Sequence, residues 1–222
     1  MNGGGIVMDN IFASFENEAL SLKTSSLHVL HREEVMVRRA SVDDADEIYH
    51  IACSVGNAVK DPYQGFLVDD YTSDPFYYKS IFRRSIMELD HFYVAQKNNR
   101  LLGFLMVYTK EQWLRSNGNW LDEIVWHPEF DRSRTEKFVM VSKTATRANL
   151  TSRGIGSRLY NRMVEDIKAS GIHDIFAETV VHPVPNFASL AFRKKQDYSL
   201  AGIRYENYRG EILTDHIYHK SV

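Results

Sequence analysis

Two stretches of this 222-residue chain carry residue types whose spacing suits chemistry. In Thr151-Ser152-Arg153-Gly154-Ile155-Gly156-Ser157-Arg158-Leu159-Tyr160, two glycines lead from a strand-like run into a helix-like one. Such a turn leaves backbone N–H groups unpaired at a helix N-terminus, where the helix dipole adds positive charge. It therefore suits an anion, most often phosphate. The other reading is that the glycines only permit a tight turn. The dinucleotide pattern Gly-x-Gly-x-x-Gly fails because Leu159 stands at its third glycine, and the nucleoside-triphosphate loop fails because no Gly-Lys-Ser/Thr follows.

The second stretch is Ile175 to Val181, a predicted strand on which Glu178 shares a face with Phe176 and Val180. A carboxylate on an apolar face should have a raised pKa, which suits a general base near neutral pH. At a sheet edge, or paired with a basic residue, Glu178 would be structural instead. His182, just beyond, is either a proton relay or a turn residue before Pro183. Asp122 and Glu123, with Trp113, Trp120 and Trp126 nearby, suit recognition of a cationic amine or plain core and lid packing. Cys53 falls in a predicted helix and reads as a packing residue, not a covalent nucleophile.

The elements that must position these groups follow from pattern. Residues 1–34 form an N-terminal extension, in which Ile11, Phe12, Phe15, Ala19 and Leu22 recur at helical spacing. That short amphipathic helix has an acidic polar face, so it is expected to pack on the domain or on a second copy in a homodimer rather than on a membrane. The domain proper is 35–222. Val35 to Arg39 alternates as a strand, and Ser41 with Asp44 forms a capping box for a helix to about Ser54. Gly56 to Ser73 is irregular and aromatic, either a flap over a pocket or surface packing. Asp74-Pro75 opens a helix to about Leu89, and Phe92–Gln96 with Leu101–Tyr108 forms a hairpin. Thr109 to Glu136 shows no regular pattern except a short strand at Glu123 to Trp126. A strand at Phe138–Thr146, the glycine loop, a helix ending at Gly171, the Glu178 strand, a helix at Asn186–Lys195, and a hairpin turning at Arg209-Gly210 complete the order.

Composition narrows the classes. The 27 basic and 29 acidic residues nearly balance, so no broad attraction to nucleic acid or anionic membrane is expected. The longest apolar runs fall far short of the roughly 20 residues that span a bilayer. A single cysteine rules out an intramolecular disulfide, points to a reducing cytoplasm, and with no Cys/His cluster gives no metal site.

This order of elements, together with the glycine loop, resembles the GNAT family of acyl-CoA-dependent N-acyltransferases. Thr151 to Gly156 is similar to that family's Arg/Gln-x-x-Gly-x-Gly/Ala, with Thr151 at the first position. Asn186-Phe187-Ala188-Ser189-Leu190-Ala191-Phe192-Arg193-Lys194-Lys195-Gln196-Asp197-Tyr198 is similar to Asn-x-x-Ala/Ser-x-x-Tyr/Phe-x-x-x-Gly-Phe, with Asp197-Tyr198 replacing Gly-Phe. The resemblance spans about residues 35–220 and implies an α/β (α+β) fold. Its mixed, mostly antiparallel central sheet is flanked by helices, and a splayed parallel strand pair forms the CoA cleft.

It further implies acetyl-CoA as acyl donor, with no metal, and an amine-bearing small molecule or protein amine as acceptor. The backbone of Ser152, Arg153, Gly154, Ile155, Gly156 and Ser157 would bind the pyrophosphate. Arg153 and Arg158 either add charge to it or stay solvated. The Thr144-to-Ala148 backbone, Thr146 and Ala148 included, would meet pantetheine and polarise the thioester. Asn186, Ser189 and Phe192 would lie near the thioester. Phe192 occupies the position where the family often has an acidic tyrosine, so the leaving thiolate is protonated by water, Tyr198 or Ser189, or without help. The expectation is an acetyl-CoA-dependent N-acetyltransferase with Glu178, His182 and Ser189 as catalytic candidates. The alternatives are a catalytically silent acyl-CoA-binding regulatory module and an acyltransferase using a bulkier acyl donor.

Overall fold

Strands β2 (His91–Lys97) and β3 (Arg100–Thr109) pair antiparallel, with Asn98 and Asn99 at φ of 51° and 57° between them. Two successive left-handed residues give the turn whose twist matches the flanking strands, and Asn tolerates that conformation better than most side chains. Alternation sends Tyr93, Ala95, Leu105 and Val107 to one face and Phe92, Val94, Phe104 and Met106 to the other. All are buried, so this hairpin lies in the middle of a sheet covered on both sides.

The computed structural model describes residues 34–150 and 153–222, so Thr151, Ser152 and the helix expected near Ile11–Leu22 lie outside the described residues. The remaining described strands are β1 (Met36–Arg39), β4 (Ile124–Trp126), β5 (Phe138–Thr146), β6 (Asp174–His182), β7 (Ser199–Tyr208) and β8 (Glu211–Ser221). They form one sheet in the order β1-β2-β3-β5-β6-β8-β7-β4, antiparallel throughout except for β5 beside β6. This is the mixed, mostly antiparallel sheet with one parallel pair that the sequence led us to expect.

Of the helices, α1 (Ala45–Val55) and α2 (Pro75–Glu88) begin as their caps dictate. Arg38 and the Ser41 N–H both bond to Asp44 ahead of α1, and Asp74 Oδ1 accepts from the Tyr77 N–H at 2.9 Å. Both helices cover the half of one sheet face built from Phe92, Val94, Phe104 and Met106. The opposite face is covered by α5 (Ile155–Ala169), whose Ile155, Leu159, Tyr160, Met163 and Ile167 pack on β2, β3, β5 and β6.

The segment from Thr109 to Glu136 is more ordered than its sequence suggested. It holds α3 (Lys110–Ser116), α4 (Trp120–Glu123) and β4, which adds to the sheet beyond β7. Thr109 and Gln112 form a capping box: the Gln112 N–H donates to Thr109 Oγ1 at 3.3 Å and the Thr109 N–H to Gln112 Oε1 at 3.0 Å. Trp120, 1% exposed, then inserts between Phe138 and Phe176, which lets the segment cover the remaining half of the first face. The expected loop from Asp131 to Glu136 contains an exposed 3-10 turn at Arg132–Thr135.

Candidate active site

The site begins where a ladder ends. β5 and β6 pair from Phe138↔Asp174 to Val141↔Ala177 and no further, although the strands run on to Thr146 and His182. The cause lies in the β3–β5 register: Val107 faces Val141 but Met106 faces Lys143, so Ser142 is an extra residue in β5. A bulge of this kind bends its strand, and here it turns β5 away from β6.

The first turn of α5 stands at the gap. Gly154, its N-cap, has φ +79°, a conformation costly for side chains with a Cβ. The first intrahelical bond runs from the Arg158 N–H to the Gly154 carbonyl at 3.1 Å. The N–H groups of Ile155, Gly156 and Ser157 therefore precede the ladder, where an anion is favoured. Gly156 serves close approach, because a Cβ there would stand 3.3 Å from the Phe192 ring.

Between these elements lies a cleft of about 520 Å³. Its walls are β5 at Thr144 and Thr146, the α5 turn from Gly154 to Ser157, Ser189 and Phe192 on α6 (Phe187–Lys195), and Gly65 to Leu67 of the aromatic loop. Thr144 Oγ1 is buried there without a hydrogen-bond partner, the condition of an atom that a polar ligand satisfies. An open strand edge, an orphaned hydroxyl and a helix N-terminus in one cleft fit the amides and pyrophosphate of an acyl-CoA.

The expected residues divide. Thr146, Gly154, Ile155, Gly156, Ser157, Ser189 and Phe192 line the cleft. Arg153 and Arg158 are exposed and outside its wall, and Ala148 opens the 3-10 turn Ala148–Leu150. Asn186, 7% exposed, caps α6 through the Ser189 N–H at 3.1 Å and donates to the Phe66 carbonyl at 2.9 Å, tying the aromatic loop to the helix. His182 ends β6 exposed. Tyr198 is buried against Arg193 and Tyr160, away from the cleft wall, and burial pushes its hydroxyl well above the usual range.

The aromatic loop also crosses the open end of the gap. Asp69 accepts from Tyr208 Oη at 2.7 Å and Tyr71 Oη at 3.2 Å, and faces Lys143 Nζ at 3.6 Å. Burial works against its charge, but Lys143 and the two hydroxyls hold its pKa below the usual carboxylate value.

On the face away from α5, Glu178 is the first β6 residue past the last β5 pair. Trp120 Nε1 donates to its Oε1 at 2.7 Å and Arg204 Nη1 approaches at 3.2 Å. Burial raises its pKa, with Trp120 and Arg204 opposing. Arg204 also pairs with Glu123 and Glu206.

Sequence reasoning missed a second carboxylate here. Asp215, 4% exposed, stands opposite Val180 and Arg204 in register, and its pKa is pushed up to about 7 by burial and by the charges of Glu178 and Glu206, against Arg204. The signal was present: Leu213, Asp215 and Ile217 alternate as Phe176, Glu178 and Val180 do.

Residues 55–198, from the end of α1 through both motifs, match the model of the Acetyltransferase (GNAT) family. The chain belongs to that family. GNAT proteins are N-acetyltransferases, and this chain is an enzyme of that class. No curated protein sequence matches it significantly. Among solved structures, this GNAT chain resembles yncA from Salmonella typhimurium, solved with its cofactor acetyl-CoA. They share 14% identity and a TM-score of 0.55 over 84% of this chain and 93% of that one. The PaiA N-acetyltransferase from Thermoplasma acidophilum in complex with coenzyme A gives 16% identity and a TM-score of 0.51 over 85% of this chain and 99% of that one. The ribosomal-protein-S18-alanine N-acetyltransferase from Escherichia coli gives 11% identity and 0.54 over 85% and 94%. At these identities the likeness shows the fold.

Proposed function

We propose that the chain transfers the acetyl group of acetyl-CoA to the nitrogen of a small-molecule or protein amine, by direct attack in a ternary complex. The observation that carries this reading is the end of the β5–β6 ladder at Val141 and Ala177, with the α5 N-terminus on the resulting cleft. The amides of Ile155, Gly156 and Ser157, with those of Ser152, Arg153 and Gly154 before them, hold the pyrophosphate, and the Arg153 and Arg158 side chains add charge. The open edge of β5 from Thr144 to Thr146 takes the pantetheine amides as an added strand, and the backbone that follows to Ala148 continues that contact. Acetyl-CoA brings the activated acyl carbon and a thiolate leaving group. A β5 backbone N–H polarises the thioester oxygen, and Ser189 stands in the cleft wall beside Phe192, which has no proton to give.

Glu178 faces the acceptor side, and its ties to Trp120 and Arg204 suit a positioning carboxylate. His182, which is exposed, receives no catalytic part in this scheme, and Asn186, expected near the thioester, serves it by capping α6 and tethering the aromatic loop. A cytoplasmic location is part of this proposal, on the strength of the single cysteine, Cys53. Among the described residues no helix is long and apolar enough to cross a membrane.

Thiol release from acetyl-CoA across a panel of amines tests the reading. Turnover with at least one amine is expected. Tight acetyl-CoA binding with no turnover on any amine would favour the silent binding module.

A further inference from the structure

Arg204 is shared by three carboxylates, Glu123 at 2.8 Å, Glu178 at 3.2 Å and Glu206 at 3.1 Å. A fourth, Asp215, lies beside it in register, 4% exposed, with no side-chain hydrogen bond or ion pair to any described residue. Four carboxylates against one guanidinium leave the cluster negative, and an unpaired buried carboxylate is costly until a cation meets it.

Next to the cluster is a polar cavity of about 310 Å³ lined by Asn117, Asn119, Trp120, Glu123 and Arg204. Glu178, Val180, Asp215 and Arg204 lie on one face of the sheet by their pairing, and Val180 is past the last β5–β6 pair. Adjacent strands are about 4.8 Å apart, so Asp215 on β8 is one strand removed from the edge of the gap.

We propose that the acceptor is a cationic amine whose ammonium group sits against these carboxylates, and that Asp215 takes its proton before attack. This rests on the transferase reading above. The ammonium N–H bond breaks as an Oδ–H bond forms on Asp215. The freed lone pair makes the C–N bond while the C–S bond breaks, and the proton shed by the new amide nitrogen goes to the thiolate. Asp215 then returns its own proton to solvent.

The charged groups facing Asp215 are Glu178 on β6, Arg204 and Glu206 on β7, and Glu123 on α4 behind Arg204. Burial and the two nearer negative charges set its pKa at about 7. A carboxylic acid ordinarily lies about six units below a primary ammonium, and this environment removes about half of that difference.

The test uses the full chain and 1,4-diaminobutane, with 4-aminobutanoate as the control whose carboxylate the cluster should repel. The diamine should bind at millimolar concentration and the control should not. Asp215→Asn should weaken the diamine at least tenfold and leave the acetyl-CoA thermal shift unchanged. In the unmodified chain, the pH at which the Asp215 carboxyl titrates by NMR should fall when the diamine is added, a reading that needs no variant. With the diamine and acetyl-CoA, Asp215→Asn should lose at least a hundredfold in kcat near pH 7 and recover with rising pH, as free amine accumulates. Diamine binding that is absent, or indifferent to Asp215, overturns the proposal, as does an unchanged titration or an unchanged pH–rate profile. Failure of the chain to bind acetyl-CoA would instead overturn the transferase reading, leaving the cation seat to be judged by the diamine arms alone.

Discussion

Trp120 Nε1 donates to Glu178 Oε1 at 2.7 Å. That bond joins the segment between Thr109 and Glu136 to the strand that borders the gap beside β5. It fixes one carboxylate oxygen at the point where β5 and β6 part.

Trp120→Phe keeps an aromatic ring between Phe138 and Phe176 but removes the donor. Losing a hydrogen bond to a charged, largely buried carboxylate should cost about 1.5–3 kcal/mol, readable by urea denaturation. A loss below the error of the urea measurement would show that Arg204 alone satisfies Glu178.

Asp215 should make stability fall with rising pH. Its folded pKa of about 7 lies above the unfolded value, so its contribution is full below about pH 4 and is lost as pH climbs through 7. Asp215→Asn lacks that slope. Measured against the unmodified chain, the variant should gain up to about 4 kcal/mol between about pH 4 and pH 8, from three units at about 1.4 kcal/mol each. Parallel stability profiles would mean that Asp215 titrates normally.

Gly156 and Phe192 should behave as a coupled pair. The Cβ of Gly156→Ala would sit 3.3 Å from the ring, which a small ring movement relieves, whereas Gly156→Val brings branched atoms into it. We expect Gly156→Val to weaken acetyl-CoA binding by about tenfold or more, and Phe192→Leu in the same chain to restore part of it, in a double-mutant cycle. Strict additivity would contradict the contact.

How much of this was legible depended on whether the signal was local. Asn98-Asn99, Ser41 with Asp44, and Asp74-Pro75 each act within a few residues, and the hairpin and helices they specify stand where expected. The Thr109–Gln112 capping box is equally local, but the helix it starts ends by Ser116, too short to show a full apolar stripe. The cleft was half legible: the glycine turn is written in Gly154 and Gly156, whereas the Ser142 bulge that opens the gap arises from pairing with β3. Glu178 could be placed on its face by alternation, but its partners Trp120 and Arg204 come from segments far along the chain. Asp215 carried the same alternating signal as Glu178 and gained its meaning only once β7 and β8 set it beside Arg204.

Central to the proposed function is that the gap between β5 and β6 holds acetyl-CoA against the first turn of α5. The direct measurement is calorimetric titration of acetyl-CoA into the unmodified chain and into Gly154→Glu. That substitution places a side chain where φ is +79° and a negative charge at the expected pyrophosphate seat. Saturable binding that the substitution abolishes, with helix content by circular dichroism unchanged, is the result predicted. Absence of binding to the unmodified chain, or equal binding to both, would contradict it.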